Sequence, residues 1–76
     1  MKELVEFLVK SLVDAPEEVF LAEREREDTI IMELKVATED LGKIIGKNGS
    51  TINAIRTVLQ AAGSSRKKRT KLDVAS

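Results

Sequence analysis

A chain of 76 residues, 42% apolar and 34% charged, is sized for one small domain spanning residues 1–76. It contains no Cys and no His; this excludes a disulfide framework, thiol redox chemistry and zinc sites built on those ligands, and removes the commonest general base. The 13 basic and 13 acidic residues cancel overall but not locally: residues 1–42 hold 5 Lys/Arg against 12 Asp/Glu, net −7, and residues 43–76 hold 8 against 1, net +7.

The basic half has the electrostatic footprint of a phosphate-binding face, and equally that of a polarised surface that pairs with the chain's own acids. The longest unbroken apolar run, Val19-Phe20-Leu21-Ala22, is far short of the roughly 20 residues a membrane span needs. Glu3 and Glu6 close to Lys2 are unlike a signal peptide. The expectation is a cytoplasmic protein with no membrane contact, no metal and no cofactor.

Leu4, Phe7, Leu8 and Leu12 recur at three- and four-residue spacing and predict a helix over 2–13 with these four on its core face. Val5, Val9 and Val13 form a second stripe beside them. The two stripes together cover about 240° where a surface helix needs little more than 100°. The valines are then either tolerated in solvent or, on the sharper expectation, buried by Val5 and Val9 against a second protein chain. Pro16 breaks the helix. Val19–Glu25 and Thr29–Val36 read as strands joined by a hairpin at Arg26-Glu27-Asp28, with Ile30, Met32, Leu34 and Val36 facing inward and Glu33 and Lys35 outward. Thr38 is placed to cap a short helix over Glu39–Ile45, with Glu39 and Asp40 in its first turn. Gly42 is expected to be a close-packing position in it. A second helix follows over Ser50–Ala62, its apolar face built from Ile52, Ile55, Val58 or Leu59, and Ala62, and Gly63-Ser64-Ser65 is expected to end it. Thr70, Leu72 and Val74 alternate with Arg69, Lys71 and Asp73, so a third strand closes the order α-β-β-α-α-β.

The segment with chemistry in it is Ile44-Ile45-Gly46-Lys47-Asn48-Gly49-Ser50-Thr51-Ile52. Two glycines flank two polar residues between two helices. Glycine lets the backbone turn tightly and lets a ligand's backbone come close. The following helix offers free N–H groups and the positive end of its dipole, and Lys47 adds a cation at the tip. These features suit a clamp for a phosphate backbone. Gly46 could instead be a plain helix C-cap and Asn48-Gly49 a plain turn. A P-loop is excluded, because Gly42 to Gly46 is one residue short and Asn48 stands where Ser or Thr should bind magnesium.

With Ile45 before the loop and Ile52 after it, the segment resembles the I-G-x-x-G-x-x-I signature of KH domains. The element order is similar to type II KH domains, an α+β fold with a three-stranded mixed sheet and three helices packed on one face. The opening Met1-Lys2-Glu3-Leu4-Val5-Glu6-Phe7-Leu8 resembles the KhpA family of small bacterial single-KH RNA-binding proteins. The resemblance covers essentially the whole chain.

The resemblance implies a narrow groove holding about four nucleotides of single-stranded RNA, with the two helices and their loop as one wall and the third strand and the loop before it as the other. Gly46 and Gly49 would admit the sugar-phosphate backbone. Lys47, with Lys43 and Arg56, would contact phosphates, and Asn48 and Ser50 belong to the same clamp. Ile45 and Ile52 would line the apolar floor, although each also suits plain core, and Ile52 suits core better. Arg66, Lys67, Lys68 and Arg69 could flank the far side or be a solvated charge run. The absence of Trp and Tyr, with both Phe residues in the acidic half, disfavours readers that stack bases on aromatic platforms. The resemblance further implies a post-transcriptional regulator or RNA chaperone that forms a homodimer, or a heterodimer with a larger KH-containing protein. The alternative is a protein-interaction or dimerisation module with a vestigial RNA site. An enzyme is not expected: Glu23, Glu25, Glu27 and Asp28 crowd a hairpin tip without a nucleophile or a metal-ligand pattern.

Overall fold

The computed structural model describes residues 2–76. Helix α1 covers Lys2–Leu12, and Pro16–Glu18 form a short 3₁₀ turn after it. Strands β1, Phe20–Arg26, and β2, Thr29–Lys35, pair antiparallel from Phe20↔Lys35 to Arg26↔Thr29, which leaves Glu27-Asp28 as a two-residue turn. Glu27 takes a left-handed φ of 56° to close it. Helices α2, Leu41–Ile45, and α3, Ser50–Ser65, precede β3, Arg69–Ala75. β3 runs parallel to β2 from Thr29↔Arg69 to Lys35↔Ala75, so the sheet order is β1-β2-β3.

A parallel pair needs a crossover connection. Here the crossover is α2, the glycine loop and α3, so the loop is held between two elements packed on the same sheet. The three helices and the mixed three-stranded sheet form the α+β arrangement of a type II KH domain.

Alternation in β2 decides which sheet face is covered. Ile30, Met32 and Leu34 are buried, and they meet Leu21 of β1, Leu72 of β3, Ile44 of α2 and Ile52, Ile55 and Leu59 of α3 in one apolar cluster. Helix α1 enters this cluster by Val5 and Val9, which are 1% and 0% exposed. The expectation for α1 is therefore reversed. Leu4 at 41%, Phe7 at 69% and Leu12 at 43% lie outside, and Val5 and Val9 close the domain's own core rather than a second chain's. Compact β-branched side chains let α1 approach the sheet and its neighbouring helices closely, where leucines would hold it off.

Three further expectations are corrected. Thr38 caps nothing: no side chain caps the 3₁₀ turn Thr38–Asp40 that leads into α2. Asp40 is the residue that works there. It is 2% exposed and accepts hydrogen bonds from the backbone N–H groups of Asp14 at 3.2 Å and Ala15 at 3.0 Å, which pins the end of α1 to the start of α2. Gly42 is not a close-packing position, because a Cβ there would meet nothing within 4 Å. Helix α3 does not stop at Ala62; it runs through Gly63-Ser64-Ser65. Gly63 is buried, and a Cβ on it would press on Thr70 Cγ2 and lie 2.9 Å from the Lys68 carbonyl oxygen. The missing side chain is what lets β3 return against the helix. The true end is a Schellman arrangement with Lys67 at φ 59° in the position glycine usually takes. The Lys68 N–H donates to Gly63 O at 2.8 Å and the Lys67 N–H to Ser64 O at 3.0 Å.

Candidate nucleic-acid interface

The loop between α2 and α3 is built on backbone that side chains resist. Gly46 has φ 75° and ψ 175°, a region open in practice to glycine alone. A Cβ at Gly46 would also fall 2.7 Å from Thr51 Cβ and 2.8 Å from the Thr51 nitrogen. Its N–H donates to Gly42 O at 2.8 Å and closes α2. It is thus the C-cap of α2 and a close approach to Thr51 at once. Gly49 has φ 76° and ψ 12°. A Cβ there would make only ordinary contacts, the nearest 3.6 Å from Asn53 Nδ2, so its constraint is conformational alone. Asn48 sits between them at φ 56°, ψ 28°, a conformation Asn tolerates better than most residues.

This backbone turns the tip outward. Lys47 and Asn48 are exposed, and among the described residues Lys47 forms no ion pair. No side chain caps the first turn of α3. The Gly49 N–H donates to Gly46 O at 3.2 Å and the Ser50 N–H to the Lys47 carbonyl, so what the helix start turns to the loop is chiefly the positive end of its dipole.

Between α3 and β3 lies a cleft of about 230 Å³, lined by Arg56, Leu59, Gln60, Thr70, Lys71, Leu72 and Asp73. A second depression lined by Gln60, Lys68, Arg69 and Thr70 continues it toward the start of β3. Arg56 donates from Nη2 to the Leu72 carbonyl oxygen at 3.2 Å, and so sits across the free edge of β3. Leu59 and Leu72 give the cleft its apolar floor. Thr70 Oγ1 is buried there without a hydrogen-bond partner among the described residues.

The structure brings the candidate residues only partly together. Gly46, Lys47, Asn48, Gly49 and Ser50 share the loop, and Arg56 lies in the cleft that follows. Ile45 is 40% exposed beside the loop, whereas Ile52 is 6% exposed and belongs to the core. Lys43 points away: it pairs with Asp14 and lies 3.6 Å from Asp40. The Asp14 hydrogen bond raises the Lys43 pKa against the opposing effect of burial. Burial also pushes the Asp40 carboxyl up, but the Asp14 and Ala15 N–H groups and Lys43 outweigh it and leave it below its ordinary value. Arg66 and Lys67 are exposed on the turn before β3. Lys68 donates to Glu25 at 2.5 Å and holds that carboxyl low by hydrogen bond and charge.

Leu59, Gln60, Thr70, Lys71, Leu72 and Asp73 line the cleft without having been singled out for it. A signal for two of them was present, since Gln60 lies one helical turn beyond Arg56 and Leu72 alternates inward on β3. Outside the cleft, Leu4, Phe7 and Leu12 of α1 and Val58 of α3 stay exposed, and Phe7, Leu12 and Val58 line an apolar furrow that also touches Thr51 and Ala54.

The family described as KhpA/KhpB, KH domain, matches residues 2–74. The protein named RNA-binding protein KhpA in Clostridium acetobutylicum is 51% identical over 74 residues, which cover 97% of this chain and 99% of that protein. The protein of the same name in Clostridium perfringens matches to the same extent. In Chlamydia trachomatis the identity is 51% over 97% of this chain and 95% of the relative. No solved structure matches the chain.

Proposed function

Because the chain belongs to the KhpA/KhpB family of KH domains, we propose that it is a single-KH RNA-binding protein, not an enzyme, that takes about four nucleotides of single-stranded RNA into the α3–β3 cleft. The observation that carries this is the loop Gly46–Gly49. Its two left-handed glycines present Lys47, without an ion pair among the described residues, at the start of α3, the helix whose Arg56, Leu59 and Gln60 line that cleft. Sugar-phosphate backbone lies against the glycines, and phosphate oxygens accept from the α3 N–H groups and from Lys47. Bases turn inward onto Leu59 and Leu72, with the free edge of β3 and Arg56 offering the polar partners. On this reading the chain acts as a cytoplasmic regulator or chaperone of RNA.

Replacing Lys47 and Asn48 together with Asp sets two carboxylates against phosphate at exposed positions. RNA binding falls steeply while circular dichroism and melting stay near wild type. A double variant that binds RNA like wild type would remove the loop from the site. Lys47 with two or three further phosphate contacts gives a log–log salt slope of about −2 to −3 on single strands, at roughly −0.7 per contact.

A second reading concerns partners, and the exposed side of α1 favours it. Leu4, Phe7, Leu12 and Val58 make an apolar strip on the helical side of the domain, where a second copy or a larger KH-containing partner would bury them. Two linked clefts would hold one RNA more tightly through effective concentration. Phe7→Asp is expected to leave the fold intact and make the protein more monomeric in sedimentation. Wild type that stays monomeric at high concentration and captures no partner would count against this face.

A further inference from the structure

The sheet face turned away from the helices carries a charge pattern that the linear sequence hides. Ile30, Met32, Leu34 and Leu72 point to the core, so the residues between them point outward. Strand register then sets them in rows across the sheet. Arg26, Thr29 and Arg69 form the first row, and Arg24, Ile31 and Lys71 the second. Four cations therefore stand at the corners of a rectangle around Thr29 and Ile31. Its sides are about 6.6 Å along a strand and about 9.5 Å across two strand spacings. Arg24 and Arg26 come from the acidic half of the chain, and the sheet sets them beside Arg69 and Lys71 of the basic half. Glu33 meets Arg24; among the described residues Arg26, Arg69 and Lys71 form no ion pair. The next row, Ala22, Glu33 and Asp73, holds the acids and bounds the positive band on one side.

We propose that this band is a second RNA-contact surface, on which Arg24, Arg26, Arg69 and Lys71 take the phosphates of a strand that leaves the α3–β3 cleft. The inference rests on the cleft being the RNA groove, and continuity with it is the reason for choosing this occupant. Helix α3 runs antiparallel to β3 and is 16 residues long, or about 24 Å. A strand clamped at the loop and laid along α3 therefore emerges at the start of β3. Arg69 lines that exit and Lys71 lines the cleft; both are also corners of the band, so two residues belong to both surfaces. The footprint then exceeds four nucleotides, and the extra contacts are to phosphate rather than to bases. The domain's exposed apolar strip lies on the helical side, which leaves the band polyelectrolyte-like and poorly suited to inserting into a lipid surface.

The test uses residues on β1, the strand farthest from the cleft. Arg24→Gln with Arg26→Gln is titrated with oligouridylates of five and fifteen nucleotides, beside the wild type and the Lys47→Asp/Asn48→Asp variant. The β1 double variant is expected to bind the 15-mer several-fold more weakly and to lose about 1.4 from its salt slope, two contacts at about 0.7 each. Its affinity for the 5-mer stays within about twofold of wild type. An unchanged 15-mer affinity and slope, with the loop variant still defective, overturns the sheet surface and leaves the groove standing. A loop variant that binds both lengths like wild type overturns the groove and this inference with it. Wild-type binding to phosphatidylserine vesicles that the β1 variant loses, with RNA binding unchanged, assigns the band to lipid and overturns the proposal. If the double variant melts early, Arg26→Gln alone carries the same test with a slope change of about 0.7.

Discussion

Helices α1 and α3 pack on the same sheet but are attached to it differently. α3 gives the core Ile52, Ile55 and Leu59, and its buried Gly63 brings β3 into contact. α1 gives the core only Val5 and Val9, and its larger apolar side chains face out. Its far end is held by the Asp40 carboxylate together with the half-buried Val13. α3 is therefore part of the domain's interior, whereas α1 is a plate fixed by a narrow contact and a polar pin, with a second apolar surface to spare.

The sharpest way to break the comparison is to place one charge on each side of α1. Val9→Asp buries an unpaired carboxylate and is expected to cost about 3–5 kcal/mol, a large share of the 5–15 kcal/mol that holds a small domain together. Urea denaturation should show a largely unfolded protein, whereas Phe7→Asp unfolds at the wild-type midpoint. Equal losses in the two variants would mean that α1 has no distinct inner face. Next comes the tail of α3. Gly63→Ala forces a methyl onto the Lys68 carbonyl and Thr70 and should cost about 1–3 kcal/mol, read as an earlier thermal midpoint. Gly42→Ala, with open space around it, should instead stabilise by about 0.5–1 kcal/mol.

The following effect has the opposite sign at α3's end. Lys67 holds the left-handed C′ position without being glycine, so Lys67→Gly should raise stability by about 1 kcal/mol in denaturant titration. The smallest effect at neutral pH belongs to the pin of α1. The Asp40 pKa is lowered in the folded state, so its contribution is present above the ordinary Asp value of 3.8 and is lost as pH falls through the lower folded value. Asp40→Asn should therefore melt slightly earlier near pH 7 and show a flatter acid limb. A melting profile that keeps the wild-type acid slope would take Asp40 out of the pin.

The strands, their inward residues and the glycine loop were legible because each signal had one meaning. Ile30, Met32, Leu34 and Val36 alternate cleanly, and Gly46-Lys47-Asn48-Gly49 sits between two helices. α1 carried two apolar stripes, and periodicity gives an angle but no preference between adjacent faces. Side-chain bulk pointed to the leucines, while the space available at the core chose the valines. Gly63 looked like a stop because glycine ends helices, but here it serves a close approach, and a lysine makes the end. Lys43 looked like a phosphate ligand from its place beside the loop; its side chain turns to Asp14 and Asp40 because a buried carboxylate needs a counter-charge. The sheet-face band was invisible in the sequence, since its four cations are joined by strand register and not by spacing.

The parallel pairing of β2 with β3 also carries a cost in time. β1 and β2 close across a two-residue turn, a local event. Thr29 pairs with Arg69, so the other half of the sheet must wait for a long intervening segment to be gathered in, and such closure is slow. The cleft lies in that half, bounded by α3 and β3. An RNA spanning α3 and β3 would clasp two neighbouring elements, joined by the short turn at 66–68, into one unit against β2. Its occupancy should slow the opening of that half more than the fraying of the hairpin, a difference that amide hydrogen exchange resolves residue by residue.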